Sequence, residues 1–247
     1  MAEPVLGIDI GGSGIKANLV DLAVGDPVGE RYKVYTPEPS TPEAVAEVVV
    51  DVVKHFDSAG PIGCTFPAVV RRGVTLSAAN VDEAWIGTDA AALFSRATGL
   101  PVVVVNDADA AGLAEMTYGA GRNREGVVIC LTFGTGIGSA LFTSGVLVPN
   151  TEFGHLSFAG HDSVEDWAAA SVKDDDELSW SKWGERVNAY LHHLDKVFSP
   201  DLVIVGGGIS RKFAKFSDLF DVDCEVVAAE LRNDAGIVGA AMAASAR

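Results

Sequence analysis

One pattern, used twice, constrains the fold more than anything else in the chain. Val5-Leu6-Gly7-Ile8-Asp9-Ile10 reads as a strand and Gly11-Gly12-Ser13-Gly14 as a turn. Ile15-Lys16-Ala17-Asn18-Leu19-Val20 then alternates as a returning strand. The pattern recurs with a strand over residues 127–132, the turn Phe133-Gly134-Thr135-Gly136-Ile137-Gly138, and a return over 139–142. A dinucleotide fingerprint or a P-loop needs a helix directly after its glycines, and neither stretch supplies one. What remains is a pair of hairpin tips with Ser13, Thr132 and Thr135 among the glycines. Consecutive N–H groups in such a tip can form an anion-binding concavity. One tip alone is equally a plain Gly-rich hairpin. Two point to duplicated lobes, each contributing a phosphate loop.

A second stretch supplies a carboxylate. Apolar residues over 100–105 read as a buried strand, which stops at Asn106-Asp107. Ala108-Asp109-Ala110-Ala111 then opens a helix through about Met116. Ligands of open α/β sheets bind at the carboxyl ends of strands, and a carboxylate there can take a proton from a hydroxyl. Asp107 is equally suited to be the helix cap, a role Asn and Asp fill well.

Between these stretches the pattern is α/β. A third strand is expected over 28–35 and a helix over 42–56, with Thr41 as its cap and Pro42 in its first turn. Valines at 45, 48, 49, 52 and 53 give that helix an apolar face. Residues 61–66 read as a strand, 75–85 as irregular, and 88–97 as a helix begun by Thr88 and ended by Gly99. Asn80 offers a polar side chain to a ligand, or simply a turn residue. Thr151-Glu152-Phe153-Gly154-His155 places Glu and His three apart around a glycine. That suits hydrogen bonding to a polyhydroxylated ligand, or an ordinary surface loop. Glu165 falls at the start of a further helix, where a carboxylate is favourable in any case. Residues 173–177 read as a solvated charge run and 178–198 as a long amphipathic helix with a core-facing aromatic stripe. Residues 202–205 read as a strand, and Gly206-Gly207-Gly208 opens a helix suited to the close approach of a nucleotide or a distal phosphate. Arg211, Lys212 and Lys215 form a basic cluster, or a solvated helix face. A last strand is expected over 222–227, then a C-terminal helix through Ala244 capped by Asn233 or Asp234.

Composition narrows the partners. The 247 residues hold 34 acidic and 18 basic side chains, a net charge of −16. Such a surface repels nucleic acid and anionic membrane, so any phosphate site must be built locally. Cys64, Cys130 and Cys224 lie far apart without metal-ligand spacing and are expected to be free thiols in a reducing cytoplasm. Neither a signal peptide nor an apolar run of spanning length is evident, so a soluble cytoplasmic protein is expected.

These pieces resemble the sugar kinases of the ROK family (repressors, open reading frames and kinases). Asp9-Ile10-Gly11-Gly12-Ser13-Gly14-Ile15-Lys16 resembles the family's first phosphate motif and Thr132 to Gly138 its second. Asn106-Asp107-Ala108-Asp109 resembles the catalytic segment, Glu152-Phe153-Gly154-His155 the sugar motif, and Gly206-Gly207-Gly208-Ile209-Ser210 the adenosine motif. The resemblance implies an actin-like ATPase (ribonuclease H-like) α/β fold of two lobes with a cleft between them. One lobe would span residues 1–106 with 230–247, the other 107–229. The family's cysteine-rich zinc segment is absent after His155, where the chain reads Leu156-Ser157-Phe158-Ala159-Gly160-His161, so no zinc site is expected. The short form, with Asn80-Val81-Asp82-Glu83-Ala84-Trp85-Ile86-Gly87, is similar to the polyphosphate glucokinase subgroup, some members of which accept ATP or mannose. Ser13 stands where Thr is usual and Ala68 where Gly is usual.

The resemblance implies phosphoryl transfer from inorganic polyphosphate or ATP to the 6-hydroxyl of glucose, with Asp107 as base. Asn80, Asn106, Glu152, His155 and Glu165 would hold the sugar. Asp9, Gly11, Gly12, Ser13, Lys16, Thr132, Gly134, Thr135, Gly136, Gly206, Gly207 and Gly208 would serve the donor. Mg²⁺ is implied, contacting Asp9 through water, and a homodimer is implied by the resemblance alone. Two other expectations stand beside this one: an ATP-only hexokinase of the family, and a sugar-binding regulatory protein without catalysis.

Overall fold

The computed structural model describes residues 3–78 and 80–246. The chain forms two compact units, Met1–Ala114 with Asp234–Arg247, and Glu115–Asn233. No helix among the described residues is long and apolar enough to cross a membrane.

In unit 1 the strands β1 (Val5–Ile10), β2 (Gly14–Asp21) and β3 (Asp26–Tyr35) form an antiparallel meander. Helix α1 (Pro42–His55) follows, with the Thr41 hydroxyl accepting from the Ala44 N–H at 3.3 Å as expected of its cap. Strand β4 (Ile62–Phe66) pairs parallel to β1. A small hairpin of β5 (Val70–Arg71) and β6 (Val74–Thr75) leads into the stretch 75–85 read as irregular, which ends in a 3-10 turn, Glu83–Trp85. Helix α2 (Ala90–Thr98) starts two residues later than expected. Its cap is Asp89, whose carboxylate accepts from the Ala92 N–H at 2.9 Å, while the Thr88 hydroxyl donates instead to Ala84 O. Strand β7 (Val102–Asn106) pairs parallel to β4, and α3 (Asp107–Tyr118) leaves its end. The sheet order is β3-β2-β1-β4-β7.

Unit 2 repeats that order. Strands β8 (Val127–Phe133), β9 (Ile137–Thr143) and β10 (Val146–Val148) form the antiparallel meander, β10 being a strand the sequence pattern did not reveal. Short helices α4 (Glu165–Ala168) and α5 (Ala170–Asp175) precede the long helix α6 (Trp180–Phe198). The charge run at 173–177 is therefore helical through Asp175, not wholly a loop, and the Ser171 N–H just before it donates to Gly134 O at 3.1 Å. Strands β11 (Leu202–Gly206) and β12 (Glu225–Ala228) complete the sheet, in the order β10-β9-β8-β11-β12. The last strand starts three residues later than expected and ends one later, the chain being irregular over 220–224. The three glycines lead into a 3-10 segment, Gly208–Lys215, where an α-helix was expected.

Helix α7 (Ala235–Ser245) returns to unit 1 and lies against β1 and β4 with backbone nearly touching backbone. A Cβ at Gly7 would overlap Ile237 O, and one at Gly63 would overlap Ala240 O. Asp234 stands at its cap position without a side-chain capping bond, because its carboxylate accepts from Arg31 at 3.1 Å.

The units divide at 114/115 and 233/234, where 106/107 and 229/230 were expected. The first turns of α3 pack on α7, and a Cβ at Gly239 would overlap the Ala110 backbone. Glu115, next along α3, is buried in unit 2. It accepts from the N–H groups of Ala120, Glu230 and Leu231 at 3.0, 3.1 and 2.7 Å.

Candidate functional site

In unit 1 the parallel strands end at one edge. Asp9 of β1 lies beside Thr65 of β4, and Phe66 lies beside Asn106 of β7. The carboxylate expected to face the metal is thus held in place by the sheet itself. The Thr65 hydroxyl donates to Asp9 Oδ1 at 2.8 Å and accepts from the Ile10 N–H at 3.3 Å. Lys16, opposite Asp9 on β2, brings its ammonium to 3.4 Å from Oδ2. Both charges are partly exposed, so the pair positions Asp9 more than it stabilises the fold. Thr65 escaped the sequence reading because one hydroxyl in an apolar strand looks like core.

The hairpin tip at Gly11–Gly14 is half-spent. The Gly11 N–H donates to Gly14 O at 3.1 Å, which removes it as the phosphate donor that was expected. Gly12 and Ser13 are exposed. Asn80, in the left-handed conformation at φ 59°, backs onto this tip. A Cβ at Gly12 would stand 2.7 Å from Asn80 O, so only glycine admits the approach.

Asn106 resolves the question of the cap. Its side-chain oxygen accepts from the Asp109 N–H at 3.0 Å and its amide donates to Ala68 O at 3.0 Å. The side chain is buried, with two of its groups committed to backbone, so it shapes the strand end and has at most one N–H for a sugar. Asp107 is the first residue of α3, half-buried, and its Oδ1 accepts from the Ala108 N–H at 2.8 Å. The start of a helix favours the anion.

Unit 2 gathers the remaining candidates. Thr132 pairs with Gly206 across β8 and β11, the register position that Asp9 and Thr65 occupy in unit 1. Thr135 and Gly134 are exposed at the tip. Here too one expected donor is consumed, the Gly134 N–H donating to Gly136 O at 2.9 Å. Ser171 braces the tip by donating its hydroxyl to Thr135 O at 2.7 Å. Gly207, at φ 80°, packs on the same hairpin, and a Cβ there would overlap Phe133 O. Gly208 is exposed beside it.

Glu152 precedes and His155 ends the 3-10 turn Phe153–His155. Ser139 holds that turn by accepting from the Phe153 N–H at 2.9 Å while donating to Thr151 O at 2.7 Å. The Tyr190 hydroxyl of α6 donates to Phe153 O at 3.0 Å, and burial pushes its ionisation upward. His155 stands between two carboxylates, with Nδ1 3.8 Å from Glu152 Oε2 and Nε2 3.4 Å from Glu165 Oε1. Burial raises the Glu152 carboxyl above the ordinary glutamate range, with Glu165 adding to the rise and His155 opposing it. Glu165, which sequence position alone left isolated, therefore belongs with Glu152 and His155.

A meander followed by two parallel strands, repeated in both units with a glycine tip in each, is the actin-like ATPase (ribonuclease H-like) fold. The ROK family model matches residues 5–172, and the chain belongs to that family. It is 52% identical over 241 residues to the polyphosphate glucokinase of Mycobacterium tuberculosis, covering 97% of this chain and 91% of that protein. Its fold matches the crystal structure of the inorganic polyphosphate/ATP-glucomannokinase from Arthrobacter sp. strain KM with a TM-score of 0.93 at 48% identity, covering 98% of each chain. A ROK family glucokinase from Streptomyces griseus, solved in complex with glucose and AMPPNP, matches with a TM-score of 0.84 at 25% identity, over 98% of this chain and 99% of that one.

Proposed function

We propose that this chain is a glucokinase that transfers a phosphoryl group from inorganic polyphosphate or ATP to the 6-hydroxyl of glucose, with mannose as a second acceptor. The likeness to a polyphosphate glucokinase along almost the whole chain carries this reading. The two glycine tips and the Glu152–His155–Glu165 cluster support it. Phosphoryl transfer asks a protein mainly for in-line positioning and charge neutralisation. Asp107 accepts the proton of the 6-hydroxyl as its oxygen bonds to phosphorus. Asn80, Glu152, His155 and Glu165 hold sugar hydroxyls, with Asn106 shaping the strand end beside Asp107. Gly12, Ser13, Thr135 and Gly136 offer N–H and O–H groups to the transferring phosphate, and Gly206 to Gly208 receive the rest of the donor.

Among the described residues no group of three or more His, Cys, Asp or Glu could hold a metal. One oriented carboxylate, Asp9, suits Mg²⁺, which keeps several waters and binds substrate phosphates through one or two carboxylates. When bound, Mg²⁺ neutralises charge on the donor phosphates. A cytoplasmic homodimer acting at the entry of glucose into glycolysis completes the proposal.

The test is a coupled assay for glucose 6-phosphate with polyphosphate and with ATP as donors. Asp107→Asn should keep glucose binding and lose about two to four orders of magnitude in turnover. Near-normal turnover would refute Asp107 as base. Glucose binding without product from either donor would favour the regulatory reading, and product from ATP alone the hexokinase one.

A further inference from the structure

We infer that Glu165 is a strut that couples sugar binding to donor binding within unit 2. Its carboxylate joins two elements that serve different substrates. Oε2 accepts from the Ile137 N–H at 3.0 Å, and Ile137 is the residue that anchors the Gly134–Gly136 tip to β9. Oε1 lies 3.4 Å from His155 Nε2, beside the turn that carries Glu152. The tip is cut to fit this carboxylate. A Cβ at Gly136 would stand 2.5 Å from Oε2, so that glycine makes room for Glu165, while a Cβ at Gly154 would overlap Ile137 O and stand 3.1 Å from Oε2. The tip itself is tied on its other flank by Ser171, at Gly134 O and Thr135 O. On the β9 side the tip is tied by the Glu165 bond at Ile137.

Two effects follow when a sugar hydroxyl donates to Oε1. The carboxylate loses its freedom to turn about its last bond, so Oε2 is fixed on Ile137 and the tip is set for phosphate. The hydroxyl's dipole also opposes the negative charge next to the anion site, which lowers the repulsion a phosphate meets there. Each ligand then makes the site better for the other, and linkage requires the benefit to be equal in both directions. This inference rests on the glucokinase reading and adds to it. Glu165 is a positioning residue for the donor tip as well as a sugar contact.

The test measures coupling, not activity. Glucose is titrated calorimetrically into the full chain in an Asp107→Asn background, where turnover is suppressed, with and without saturating polyphosphate and Mg²⁺. With Glu165 present, polyphosphate should tighten glucose about five-fold or more. With Glu165→Ala that factor should fall close to one. Glu165→Gln keeps the shape and one acceptor oxygen, and should lower the factor while the protein melts as the parent does. If both variants weaken glucose by the same factor with and without polyphosphate, Glu165 is a sugar contact alone and the inference is overturned. No coupling with Glu165 present overturns it too, while leaving the glucokinase reading standing. Failure to bind glucose at all refutes that reading instead.

Discussion

At the residue scale, Glu152 shows what the site costs the fold. Its carboxyl titrates above the ordinary glutamate range because burial disfavours the anion. A carboxyl raised in the folded state contributes stability below its unfolded value and loses it as pH rises through the folded value. Glu152→Gln should therefore melt higher than the parent at neutral pH. The difference should vanish as pH falls below about 4, where both chains carry a neutral group. Melting temperatures across that range check this, and a variant less stable at neutral pH would contradict it. Residues of this kind were partly legible. Glu152 and His155 stand out as a polar pair around a glycine, and Asp107 as a carboxylate after an apolar strand. Thr65 and Ser139 did not stand out, because a lone hydroxyl among apolar residues reads as core until the atom it binds is known. Asn106 was assigned to sugar, but its amide is largely spent on the Asp109 N–H and Ala68 O.

At the element scale, local signals worked where they were redundant. Helix α1 was legible from Thr41, Pro42 and a valine face that agree with one another. The start of α2 was not, since Thr88 and Asp89 are both competent caps and only the fold assigns the Thr88 hydroxyl to Ala84 O. Helix α5 was hidden by its charge, which suggests solvent but does not forbid a helix. Helix α7 is legible as a helix, yet its small residues make sense only against the sheet. A close backbone approach leaves no room for a methyl group at Gly63. Gly63→Ala should destabilise the protein by about 1–3 kcal/mol or more, as overpacking of a tight core does. A lower urea midpoint with an unchanged slope is the expected result, and an unchanged midpoint would show that α7 can shift.

At the scale of the whole molecule, a net charge of −16 makes every exposed basic cluster conspicuous. Arg211, Lys212 and Lys215 are exposed on the 3-10 segment after Gly207, and the Lys215 ammonium lies 5.4 Å from the centre of the Trp180 ring. The Lys173 ammonium lies 4.4 Å from the same ring but also 3.0 Å from Asp174. If the cluster meets a long polyanion, replacing all three residues by Gln should raise KM for polyphosphate severalfold and KM for ATP less. Added salt should do the same to the parent. Equal changes with both donors would leave the cluster as a solvated face. The duplication of lobes was legible from the two hairpins. The strand order was not, because parallel pairing is set by crossovers that no local pattern records.

Helix α7 also bears on the order in which the protein is made. Unit 2 is one uninterrupted stretch of chain, so it has all its parts while translation is still under way. Unit 1 begins first but lacks its covering helix until residues 235–245 leave the ribosome. Until then Gly7 of β1 and Gly63 of β4 lack the helix backbone that packs on them. The lobe that starts the chain is the one that must finish last.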